Sequence, residues 1–61
     1  MDWKLIIQMA KADEEAAKAK YNLVVASCDD PAIKEMFEKL AYEEEVHVAV
    51  LEQFEQALGS Q

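Results

Sequence analysis

Glu44 and His47 stand three residues apart in Glu44-Glu45-Val46-His47, and His47 is the one histidine of the chain. On a helix, side chains at i and i+3 lie on one face, so a carboxylate and an imidazole would sit one above the other. Both are metal-ligating groups. A carboxylate offers anionic oxygen and an imidazole neutral nitrogen, a donor set that suits iron or manganese and also accepts zinc. Glu14 supplies a third donor from another part of the chain. Each of the three interrupts an otherwise apolar heptad-like seam, where an isolated charge costs several kcal/mol unless something compensates it.

Two helices must position these residues. Trp3, Ile7, Ala10, Glu14, Ala17, Tyr21, Val24 and Cys28 recur at alternating steps of three and four, the spacing of a packed helix face. Ile33, Phe37, Leu40, Glu44, His47, Leu51, Phe54 and Leu58 do the same. Between them lies Ser27-Cys28-Asp29-Asp30-Pro31. Asp is a good helix cap and Pro is favoured at the first helical position. The first helix is therefore expected over about residues 2–28. The second is expected over about 31–58, capped by Asp30 or Asp29 and closed by Gly59. A connection this short makes antiparallel neighbours. Folded between Asp29 and Asp30, the chain puts Glu14 and Glu44 about 15 residues from the turn and His47 about 18, so all three meet at one level.

The expected fold is all-α: residues 1–61 form one antiparallel helical hairpin that dimerises into a four-helix bundle. Sixty-one residues are marginal as a lone domain, and one cysteine allows no disulfide within the chain, which leaves a metal or a partner subunit as the staple. A two-fold homodimer would cover the apolar faces and double the ligand set to four carboxylates and two imidazoles. Dinuclear carboxylate bundles are built in this way, with one Glu from each of two helices and Glu-x-x-His from each of the other two. Two metal ions per dimer would stand about 3.5–4 Å apart. A second stripe on the first helix, Leu5, Met9, Ala12, Ala16, Ala19, Leu23 and Ala26, either makes a further subunit contact, giving a higher homo-oligomer, or is helix-forming filler. Tyr21 either donates a hydrogen bond to a metal-bound carboxylate or is a core tyrosine. Met9, Met36, Trp3 and Phe54 read as packing residues, Cys28 as a buried thiol, and the acids Asp13, Glu15 and Glu43 near the site as solvated groups or a way-station for cations.

Composition narrows the partners. The net charge of −7 disfavours nucleic acid and anionic membrane surfaces and favours cations. No apolar run reaches the roughly 18–20 residues of a membrane span. A single cysteine without a signal peptide points to the cytoplasm.

Glu14-x-x-Ala17-x-x-x-Tyr21, Asp30-Pro31 and Phe37-x-x-Leu40-Ala41-x-x-Glu44-x-x-His47 together resemble one half of a ferritin-like, rubrerythrin-type diiron protein, from about Ala10 to Leu51. The step from Glu14 to Glu44 is similar to that of the encapsulated ferritins, whose subunits are also two-helix hairpins. The resemblance implies a diiron ferroxidase centre across a dimer interface, serving iron storage or detoxification, in the cytoplasm or within a protein nanocompartment. Glu14 would be a bridging or terminal carboxylate, Glu44 the bridging carboxylate, His47 the terminal nitrogen ligand, and Tyr21 the tyrosine near the centre. It also implies a shell protein or an external electron donor as partner. The chain departs from these relatives in three respects. A single cysteine excludes the paired Cys-x-x-Cys motifs of a rubredoxin domain. Lys20 stands where encapsulated ferritins have an aromatic residue. Their shell docking uses an extension beyond the point marked here by Gly59-Ser60-Gln61. The alternatives are a non-catalytic metal-binding or metal-controlled dimerisation module, a rubrerythrin-like peroxide-reducing domain fed by an external donor, and a plain helical dimerisation module.

Overall fold

A computed structural model describes residues 1–59. Two helices account for nearly all of them, α1 over Trp3–Ser27 and α2 over Pro31–Gly59, with no strand among the described residues. Both helices start on aspartate caps. Asp2 accepts a hydrogen bond from the Leu5 N–H at 3.0 Å, and its carbonyl accepts from the Ile6 N–H. Asp30, rather than Asp29, caps α2: its carboxylate accepts from the N–H groups of Ala32 at 3.0 Å and Ile33 at 3.3 Å. A capped start of this kind is worth about 1 kcal/mol. Pro31 follows as the first helical residue, and its ring disfavours helical backbone at Asp30. The turn is thus held to three residues, with Cys28 extended and its N–H donated back to the Val24 carbonyl.

The turn folds α2 back along α1 into a rod of 47 × 14 × 13 Å. Three cross-helix contacts fix the register. Tyr21 and Phe37 pack as tilted rings with centroids 5.8 Å apart near the turn. Glu14 meets His47 and Glu44 at mid-length. Lys11 meets Glu55 and Glu52 beyond it.

The stripe of α2 turned to α1 differs from the one expected. Ala41 and Val48 are the two buried residues, at 7% and 8% exposure, while His47, Ile33 and Phe54 are exposed. The inward stripe is therefore Phe37, Ala41, Glu44, Val48, Leu51, Glu55 and Leu58. It shares Phe37, Glu44, Leu51 and Leu58 with the expected seam and steps one residue onward at the other positions. The physical reason is size: alanine and valine at 41 and 48 let the helix backbones approach, whereas Leu40 and Phe54 would hold them apart and turn to the flank instead. Trp3 likewise lies exposed on α1.

The two flanks of the hairpin are unlike. At about 100° per residue, positions on the same side of the two antiparallel helices can be matched. One flank carries Ile6 and Val24 from α1 and Ile33, Met36, Leu40, His47, Val50 and Phe54 from α2. Of these, Ile6, Ile33, Met36, Val50 and Phe54 are exposed large apolar groups. The other flank carries Lys4, Lys11, Glu15, Lys34, Glu38, Glu45 and Glu52. Leu5, Met9 and Leu23 form the exposed outer stripe of α1.

Candidate metal centre

Glu14 lies at the midpoint of α1 on the face that meets α2, and Glu44 lies on the corresponding face of α2. The helix pitch then sets His47 three residues on, about 4.5 Å further along α2 and rotated about 60° toward the apolar flank. His47 Nδ1 stands 3.3 Å from Glu14 Oε2 and 3.7 Å from Glu44 Oε2. One donor atom from each residue lies within 4.8 Å of the others. The three residues picked from sequence for their chemistry are thus brought together by the hairpin, and no other such trio of Asp, Glu, His or Cys occurs among the described residues.

Burial grades across the cluster. Side-chain exposure is 16% for Glu44, 31% for Glu14 and 56% for His47. The cluster is therefore half closed: α1 and α2 form its floor, and it opens on the apolar flank. Glu44 Oε2 is buried without a hydrogen-bond partner, since His47 Nδ1 lies beyond hydrogen-bond reach. Leaving a buried acceptor unsatisfied costs about 1–3 kcal/mol, and more when it is charged. With the imidazole neutral, the group carries two carboxylate charges and no lysine. Its chemistry fits a cation: an unpaired carboxylate oxygen, a second carboxylate and an imidazole nitrogen are brought together, with donor atoms within 4.8 Å of one another.

Tyr21 lies two turns along α1 from Glu14. Its ring packs on Phe37, and its hydroxyl makes no hydrogen bond to Glu14, Glu44 or His47 among the described residues. Cys28 is half-buried at the turn, where its thiol donates to the Asp30 carbonyl at 3.5 Å. Asp13, Glu15 and Glu43 are exposed.

Lys11, which the heptad spacing of α1 does not single out, bridges to Glu55 at 3.6 Å and lies 4.0 Å from Glu52. The signal was present. Glu55 follows Ala41 and Val48 at steps of seven, so once those residues face inward Glu55 does too, and Lys11 is the cation at its level.

Comparison with protein-family models, with curated proteins and with solved structures gives no match. The functional reading therefore stands on the residues themselves.

Proposed function

We propose that two copies of this hairpin form a four-helix bundle around a dinuclear iron site, and that the protein is a ferritin-like ferroxidase acting in iron storage or detoxification. The observation that carries this reading is the convergence of Glu14, Glu44 and His47 at mid-length, with Glu44 Oε2 buried and unpaired. A second observation supports the dimer. The cluster opens on a flank of exposed apolar side chains, where Ile33, Met36, Val50 and Phe54 lie in line with His47. Fully burying each such side chain stabilises an assembly by about 1.5–3 kcal/mol. A second cluster arriving on that flank would complete the site with four carboxylates and two imidazoles. Their four negative charges offset two divalent cations.

Glu14, Glu44 and His47 of each copy would hold the ions. Bound iron would supply the electrons, each Fe(II) losing one to dioxygen or peroxide. The chain's own residues do the rest. The carboxylates favour the harder Fe(III) product, and the neutral imidazole adds a ligand without adding charge. Apolar neighbours along the flank keep bulk water from the ions once the copies close. Manganese and zinc fit the same donors. The reading that comes second is a metal-controlled dimerisation module without turnover, favoured by the same exposed flank.

Native mass spectrometry with metal analysis tests the assembly: two chains with two ions are expected. Oxygen consumption on addition of Fe(II) then separates the two readings. Turnover that disappears in Glu44→Ala and His47→Ala supports the ferroxidase. Metal-dependent dimerisation with no oxygen uptake supports the module, and a chain that stays monomeric and metal-free dismisses both.

A further inference from the structure

We draw no further inference here: the strongest candidate, the exposed apolar stripe of Leu5, Met9 and Leu23 along the outer face of α1, carries none because nothing in the structure shows what covers it.

Discussion

Two polar groups interrupt the same helix–helix seam, and they are resolved in opposite ways. Lys11 reaches from the polar flank to Glu55 and lies near the exposed Glu52, so a cation of the chain meets the acid that enters the seam. One turn further along α1, Glu14 and Glu44 meet with only an imidazole between them, and the more deeply placed Glu44 keeps an oxygen with no partner. The chain can therefore neutralise an inward acid with a lysine, and does so at one level. At the next it omits the lysine and places a nitrogen ligand instead. That difference, more than the presence of acids in a protein of net charge −7, is what the proposed cation site rests on.

The contrast breaks most visibly in metal affinity. Glu44→Ala and His47→Ala each remove a ligand and are expected to weaken Mn(II) or Zn(II) binding by more than the roughly 10–100-fold that the loss of an outer partner costs. Glu52→Ala removes an acid from the lysine-paired group and is expected to leave the affinity within about two-fold. Competition against a chelator of known affinity reads both. If all three variants weaken binding equally, the ions are attracted by bulk charge and the two levels do not differ.

Stability in the presence of chelator sharpens the same point. Without a cation, Glu44 is a liability to the fold, and Glu44→Leu is expected to raise the unfolding free energy by about 1–2 kcal/mol, as replacement of poorly compensated buried charge by an apolar group of similar volume does. Adding metal reverses the order. An ion at 100 times its dissociation constant stabilises the wild-type chain by about 2.7 kcal/mol, and the variant lacks that gain. Urea titrations with chelator and with metal check both arms. A loss of stability in Glu44→Leu under chelator would show that the carboxylate is already satisfied.

How much of this is legible in the sequence follows from which distances are local. The turn is: Asp30 and Pro31 cap and start a helix through contacts within four residues, and the structure places both helix starts where the capping residues stand. The level of the cluster is also legible, because the short turn fixes how far along each helix a residue lies. The rotation of α2 is not. Two interleaved stripes, one through Leu40, His47 and Phe54 and one through Ala41, Val48 and Glu55, have the same spacing. Periodicity alone cannot rank them. The choice is made by the volumes at 41 and 48, a property of the packed pair of helices. The sequence therefore reveals which residues meet, while the structure reveals that His47 meets the carboxylates from the flank and leaves the cluster open on that side.

The smallest effect belongs to the lysine. Lys11→Met keeps the aliphatic stem that lies along the seam and removes only the charge, leaving Glu55 half-buried beside it. Partly exposed ion pairs contribute about 0.2–1 kcal/mol, and Lys11 and Glu55 are both about a quarter exposed, so a destabilisation of at most about 1 kcal/mol is expected. Its origin is distinguishable from lost packing. Salt at about 1 M shortens the screening length to about 3 Å, so the gap between wild type and Lys11→Met in thermal melts should shrink as salt rises, whereas a packing defect would persist. Metal affinity should stay within about two-fold throughout, because the register of Glu14 against Glu44 and His47 is also held by the ring contact of Tyr21 with Phe37. A large fall in affinity in Lys11→Met would instead make the lysine pair the device that sets the height of the metal ligands, and the two levels of the seam would be one cooperative unit.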